Sequence, residues 1–461
     1  MHTSTKNYSA KSSYRKKGGL KINSFFAGIG GFDIAFEKAG FVSDYQCEID
    51  PFCNSVLERH WPNVLRSEDI NKVIPEEIPV AEVWCGGFPC QDVSVARGWL
   101  GRDGLKGKNS GLFHPFMKLI EARVPKVVLL ENVMGLLSAH DGRDFVTVLE
   151  SLTSLGYGVA WRVMNTRYFG APQSRPRVYV CAWLNDLDAA INALYEPQAV
   201  PKPSSARLGF LSAASCPATG AVVPEVAYCL AATSGRHTGT DWSRSYVSYF
   251  AKVRRLTPNE CEGLQGFPKK WSVPSNSFHE SENEIDARRY HALGNAVSVP
   301  VASWIAKRIF KELHSKKSTV SFYNAKKDTK EIFEKYPIFD NSKIRRERLD
   351  ELAKSKVKIK WQSGGFAIGG FCFDCQVAPC PVQPIKSRFV DVIEKQDVDN
   401  RYFLSPNAAK GILRRVSSQN RTLFEPLQIA LENLAASDFQ VQRSRKVKNG
   451  LHLELLATAN V

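Results

Sequence analysis

The sequence predicts an α/β protein built on a mostly parallel sheet. Three observations lead there. Short apolar runs, Val80–Cys85 and Pro125–Leu130 among them, read as strands buried on both faces. Segments of helical period alternate with them, as in Gly111–Arg123, where Leu112, Phe113, Phe116, Leu119 and Ile120 share one face. A strand at Lys21–Phe26 also runs through the glycine turn Ala27-Gly28-Ile29-Gly30-Gly31 into a helix at Phe32–Ala39, the opening unit of such a fold.

Taken in order, the glycine turn comes first. Glycines let a backbone approach a ligand closely, and the helix start offers free N–H groups. Asp33 stands where the dinucleotide fingerprint has its third glycine, so a nucleoside without a pyrophosphate is the favoured ligand. The strand Val42–Glu48 ends in Glu48, 20 residues after Gly28, the distance at which an acid meets ribose hydroxyls. Asp50 reads as the N-cap of a helix at Pro51–His60. Asp69 follows a third short strand and either accepts from an exocyclic amine or is a solvated turn residue. Gly86-Gly87-Phe88-Pro89-Cys90-Gln91 leaves the sheet at the carboxyl end of a strand, where parallel sheets bind ligands. Cys90 is there a candidate nucleophile, set against the plainer reading of a small buried thiol. The connection Val93–Ser110 is long, glycine-rich and basic, which suits a flap that touches phosphates. Glu131 ends the next strand and is a candidate acid or hydrogen-bond partner, or else a capping carboxylate. A helix at Asp144–Leu155 and strands at Val159–Asn165 and Val178–Trp183 follow. Arg175 and Arg177, two apart at the start of the last strand, are either a surface pair or a clamp for an anion or a base.

From Asn185 the character changes. Residues 185–252 are rich in Ala, Ser, Gly, Thr and Pro and read as a small, irregular domain, after a catalytic domain at 21–184. Thr257 to Glu260 is a capping pattern, and Pro300 sits in the first turn of a helix at Val299–Leu313, so 253–313 returns to regular structure. Residues 301–360 hold 17 Lys and Arg against 8 Asp and Glu, which marks 314–360 as a basic linker, a solvated face or a DNA contact. Residues 361–461 read as a separate small module with a helix from Pro406. Cys372, Cys375 and Cys380 lack a fourth ligand at zinc spacing, so free buried thiols and no metal are expected. The net charge of +16 points to a polyanionic partner, most simply nucleic acid. Eleven scattered cysteines and no secretory signal argue for a reducing cytoplasm. Residues 1–20 read as a disordered basic tail, and no apolar run is long enough to span a membrane.

In order and spacing these motifs resemble the cytosine-5 DNA methyltransferases of bacterial restriction–modification type, over about residues 21–313. The blocks are Phe26-Ala27-Gly28-Ile29-Gly30-Gly31, Pro89-Cys90-Gln91, Glu131-Asn132-Val133, the Gln173-x-Arg175-x-Arg177 pattern, Arg255-Leu256-Thr257-Pro258 with Gln265-Gly266-Phe267-Pro268, and Gly294-Asn295-Ala296-Val297. The family usually has an aspartate where this chain has Ser24. The resemblance implies a Rossmann-like core that binds S-adenosylmethionine, with a target-recognition domain at 185–252 and an accessory C-terminal module. It implies a Cys90 thiolate that adds to cytosine C6, Glu131 donating to N3, and Arg175 at O2 with Arg177 beside it. Phe26, Gly28, Gly30, Glu48, Ile49, Asp69, Ile70, Pro89, Leu112 and Asn295 would line the cofactor site. Gln91, Ser94, Arg97, Gln173, Arg236 and Arg244 would contact DNA, the last two from a loop at Thr233–Arg244. The implied partner is double-stranded DNA, bound by a cytoplasmic monomer, with a cognate endonuclease encoded nearby. The rivals are a tRNA cytosine methyltransferase and a silent DNA-binding regulator.

Overall fold

The computed structural model describes residues 19–89, 110–198, 208–235, 240–315, 332–339, 344–396 and 398–437. Residues 1–18, Cys90, Gln91, Ser94, Arg97 and Arg236 fall outside them, as does much of 314–360. Five parallel strands carry the first part of the chain: β1 (Lys21–Phe25), β2 (Val42–Cys47), β3 (Leu65–Ser67), β4 (Val83–Gly86) and β5 (Val127–Val133). They pair in the order β5-β4-β1-β2-β3. The strand order turns back between β1 and β4, the point at which a parallel sheet opens a crevice for ligands. The register sets Phe25 opposite Gly86 and Gly86 opposite Leu130, so the ends of β1, β4 and β5 lie side by side.

Helices α1 (Gly31–Glu37), α2 (Pro51–His60), α3 (Phe113–Arg123) and α4 (Arg143–Ser154) cover this sheet. The apolar run of β5 serves both faces. Val127 and Leu129 pack with Ile34 and Phe36 of α1, whereas Val128 and Leu130 pack with Phe116 of α3 and Leu149 of α4. β6 (Tyr157–Asn165) and β7 (Pro176–Leu184) extend the sheet as an antiparallel pair, with β7 against β5. Because β7 runs the other way, its amino end meets the carboxyl end of β5, and Val133 faces Arg177.

Two sequence expectations change here. The irregular domain does not begin at Asn185, because α5 (Leu187–Leu194) follows and belongs to the core. Asp186 caps it by accepting from the Ala189 N–H at 2.8 Å, and its apolar side chains are buried. Its short, nearly all-apolar sequence hides the helical period. The second change is at the C-terminus. The chain passes through β12 (Arg345–Arg348), α10 (Leu349–Lys354), β13 (Gly364–Ile368) and β14 (Phe371–Cys375). β13 pairs antiparallel with β6 and completes a ten-stranded sheet, β12-β14-β13-β6-β7-β5-β4-β1-β2-β3. All nine residues of β6 are buried, so its outer edge requires a partner. Arg162 of β6 is buried too and donates to Leu194 O at 2.8 Å, to Ala378 O at 3.1 Å and to Cys380 O. Residues from Trp361 onward therefore do not stand apart as a module. Cys372, Cys375 and Cys380 are buried free thiols, and no group of side chains suited to a metal occurs among the described residues.

Beyond α6 (Leu208–Leu211), a second sheet takes the antiparallel order β11-β10-β9-β8, from β8 (Ala213–Cys216), β9 (Ala221–Pro224), β10 (Tyr246–Ser248) and β11 (Val253–Arg255). α7 (Pro258–Gln265) opens on the expected capping box: Glu260 N–H donates to the Thr257 hydroxyl at 3.2 Å, and Thr257 N–H to the Glu260 carboxylate at 2.8 Å. α8 (Glu282–Asn295) and α9 (Val299–His314) bring the chain back to the parallel sheet. α11 (Pro406–Ser418) and a helix at 425–437 pack on the second sheet. No helix among the described residues is long and apolar enough to cross a membrane.

Candidate active site

The glycine turn after β1 has the conformation its residues suggest. Gly28 and Gly30 have φ of 56° and 80°, the left-handed region that glycine enters without strain. A side chain at Gly30 would come within 2.3 Å of the Trp61 ring, whereas the space at Gly28 is open. Glu48 holds the turn from the next strand: Gly28 N–H donates to Oε2 at 2.7 Å and Asp50 N–H to Oε1 at 2.8 Å. Burial pushes the Glu48 carboxyl up, against the pull of those N–H donors. Asp50 caps α2 by accepting from Cys53 N–H at 3.0 Å. Phe26, two residues before the open glycine, is half-buried, and Ile49, next to Glu48, is 65% exposed although apolar. Open space, an apolar wall and a carboxylate together fit a nucleoside. Asp69 is half-buried and accepts from the N–H and side chain of Asn71, which hold its carboxyl below the usual range. Ile70 is buried, Pro89 and Leu112 are half-buried, and Asn295 is exposed at the end of α8. The late blocks reach this turn. Trp271 Nε1 donates to Ile29 O at 2.8 Å, and Val297 stands where a side chain on Gly31 would touch it at 3.3 Å.

Beneath the turn, Asp33 is fully buried and accepts from Gln46 Nε2 at 2.9 Å. Burial raises its carboxyl to about 6, with Ser24 among the groups that oppose the rise. The chain thus keeps a carboxyl under the glycine turn, though Ser24 stands at the position where an acid is usual.

At the end of β5, Glu131 is buried beside the loop that leads to Cys90. A side chain on Gly87 would lie 3.4 Å from Glu131 Oε2, and Asn132 Nδ2 donates to Phe88 O at 3.2 Å. Arg177 Nε lies 3.2 Å from Glu131 Oε1, a charge contact that falls outside hydrogen-bond geometry. Burial pushes the Glu131 carboxyl up, and Arg177 and then Arg175 pull against it.

Arg175 is placed differently from its partner. Its terminal nitrogens donate to Leu230 O at 2.9 Å, Gly294 O at 3.0 Å and Ala296 O at 2.9 Å. It joins the β6–β7 turn to the second sheet's segment and to α8, and Arg177 is the guanidinium that faces Glu131. Gln173, expected at DNA, is fully buried instead. Its amide donates to Leu264 O at 2.9 Å and Gln265 Oε1 at 3.1 Å, and accepts from Leu230 N–H at 2.8 Å, so no polar atom is left for a base. Arg244 is half-buried and donates to Ser234 O and Thr233 Oγ1, both at 3.3 Å.

One neighbour escaped the sequence reading. Cys229 Sγ sits 3.6 Å from Arg175 Nη1 and 3.9 Å from Arg177 Nη2. Burial would raise its thiol, but the two guanidiniums outweigh this and hold it below the usual range. Its only signal in the sequence would have been its chain neighbour Leu230, which Gln173 and Arg175 both grip.

The profile of the C-5 cytosine-specific DNA methylases matches residues 20–215 and 231–311. The chain belongs to that family. Type II methyltransferase M2.BsuMI of Bacillus subtilis strain 168 is 32% identical over 305 residues, covering 63% of this chain and 75% of its own. M.MspI of Moraxella is 31% identical over 315 residues, covering 63% and 70%, and M.HhaI of Haemophilus parahaemolyticus 26% over 331 residues, covering 65% and 96%. This methylase is therefore a DNA cytosine-5 methyltransferase. Membership implies S-adenosylmethionine as methyl donor and double-stranded DNA as substrate. The glycine turn, Glu131 and the arginine pair of the methylase lie inside the matched residues. Cys229 lies in the gap between them, and everything after 311 lies beyond them.

Proposed function

We propose that the methylase acts on a cytosine flipped out of a specific duplex sequence, through a covalent bond between Cys90 and C6, as the protective partner of a restriction endonuclease. The observation that carries this reading is Glu131: a buried carboxyl with its proton affinity raised, beside Arg177 and the backbone of the Cys90 loop. A base inside a duplex cannot reach such a site, so it leaves the stack at a cost of a few kcal/mol. The Cys90 thiolate adds to C6. Protonated Glu131 donates to N3, and Arg177 donates to O2, the role that the sequence pattern alone would give to Arg175. S-adenosylmethionine, held at the glycine turn, would supply the methyl group to C5. A base then takes the C5 proton, and the C6–sulfur bond breaks to return the thiolate. Glu48 is suited to ribose hydroxyls, Asp69 to the adenine amine, and Phe26 and Ile49 to the ring faces. The second sheet and the Thr233–Arg244 loop, with Arg236 and Arg244, read the sequence, and the basic charge of the chain binds phosphates.

The test is a duplex pool with 5-fluorocytosine in every short sequence context, incubated with the full chain and S-adenosylmethionine. A covalent adduct that disappears in Cys90→Ser is expected. No adduct, or methyl transfer to tRNA alone, overturns the proposal. Bisulfite sequencing of DNA from cells that express the chain gives the target site.

A further inference from the structure

The helices at the end of the described chain lie outside the family match, and they pack on the second sheet rather than on the catalytic one. Tyr246 and Val253 of that sheet share an apolar cluster with Leu404, Ile412, Val416 and Leu431. Leu404 N–H donates to Val253 O at 2.8 Å. The polar edge of this contact falls on residues 240–244. Asp241 is fully buried there; Tyr246 OH donates to its Oδ1 at 2.9 Å, and Arg415 of α11 donates through Nε to its Oδ2 at 2.9 Å. The next residue, Trp242, donates through Nε1 to Gln419 at 3.0 Å, and the Arg421 guanidinium lies 4.4 Å from its ring centre. A buried carboxylate holds its place only while its partners remain, so a cation from α11 helps to set the position of residues 240–244.

We propose that α11 and the 425–437 helix are part of the target-recognition unit, with Arg415 as a positioning residue that, through Asp241, fixes Trp242 and Arg244 against duplex DNA. The inference rests on the recognition role proposed above for this sheet and loop. Arg415 then sets DNA affinity and the choice between sequences, and leaves methyl transfer itself alone. A side chain that only held the fold together would move every parameter in step.

The experiment uses the full chain, unmethylated genomic DNA read by bisulfite conversion to find the target, and then duplexes with that target or a single changed base pair. For Arg415→Ala the expected result is a KM for the duplex about tenfold higher and a kcat within about twofold. Its preference for the target over the changed duplex should fall about tenfold, which is what one weakened base contact costs. Arg415→Lys should recover part of the loss. Adding Asp241→Asn to Arg415→Ala should cost nothing more, since the two act as one unit. Gln419→Ala removes the Trp242 contact without touching Asp241 or Arg415, and should show the same changes at about threefold; it decides the matter if Arg415→Ala does not fold. Unchanged KM and preference, or a parallel fall in kcat and in affinity for S-adenosylmethionine, overturns the inference. Arg244→Ala separates the two readings. If it shifts preference while the Arg415 and Gln419 variants do not, this inference fails alone; if none shifts it, the recognition role fails as well.

Discussion

Two of the glutamate–arginine pairs that the methylase holds away from solvent, Arg254–Glu260 and Arg177–Glu131, are built in opposite ways. Arg254 and Glu260 are both fully buried, and two parallel hydrogen bonds of 2.8 Å join them. Each carboxylate oxygen takes a further backbone donor at 2.8 Å, from Thr257 and from Glu394. Glu131 and Arg177 are almost as buried, yet their contact at 3.2 Å lacks hydrogen-bond geometry. The first pair is satisfied, with nothing left to offer a ligand. In the second, Glu131 Oε1 is buried without a hydrogen bond among the described residues, which costs stability and is tolerated at a site that a ligand completes. The same residue types thus serve as a joint in one place and as a site in the other.

Breaking the satisfied pair should have the largest effect. Glu260→Ala leaves the Arg254 charge buried and unpaired and should destabilise the fold by about 3–5 kcal/mol, read from urea unfolding, while the protein that remains folded keeps its kcat. Breaking the open pair should do the reverse. Glu131→Gln should lower kcat about 100- to 1,000-fold, or about 3–4 kcal/mol, with an unfolding midpoint no lower than that of the parent. On the proposed role of Glu131 as a proton donor, kcat of the parent should fall as pH rises through its raised pKa, and a flat profile would contradict the assignment.

Asp33 stands between the two pairs. It has one donor from Gln46, and burial raises its carboxyl from 3.8 to about 6. The folded state therefore holds a proton that the unfolded chain gives up, and stability should fall as pH rises from about 4 to about 6. Asp33→Asn should remove that slope and be the more stable protein at pH 7 by roughly 2–3 kcal/mol, a difference absent at pH 4. The smallest effect is expected at Cys229. Cys229→Ala takes a contact from Arg177 and should lower kcat about tenfold, or about 1.4 kcal/mol, with Cys229→Ser recovering most of it.

These contrasts also mark what the sequence could reveal. The capping box at Thr257, the cap at Asp50 and the glycine turn depend on residues three or four apart, and their chemistry is visible in order along the chain. Glu131 was visible because it ends an apolar run. The burial of Gln173 was not legible because its partners, Leu230, Leu264 and Gln265, come from two later segments, and the pattern Gln-x-Arg-x-Arg does not say which side chains turn inward. Arg175 turns inward to the carbonyls of Leu230, Gly294 and Ala296, and Arg177 toward Glu131, and for the same reason the pattern does not say which. The segment after Trp361 was taken for a module of its own because a single strand that joins a distant sheet carries no sign of its partner.

That added strand bears on how the chain is made. Trp161 of β6 is paired across the ladder with Gly365, and Arg162 finds the carbonyls of Ala378 and Cys380 later still. A chain emerging from the ribosome completes the parallel half, α5 and the second sheet long before those residues exist. Through that interval β6 offers an unpaired edge of backbone N–H and C=O groups flanked by mostly apolar side chains, the kind of surface on which nascent chains stick to one another. Slowing translation before Gly364, or halting it there, should therefore favour aggregates of an otherwise well-folded methylase, and supplying the later segment in time should suppress them.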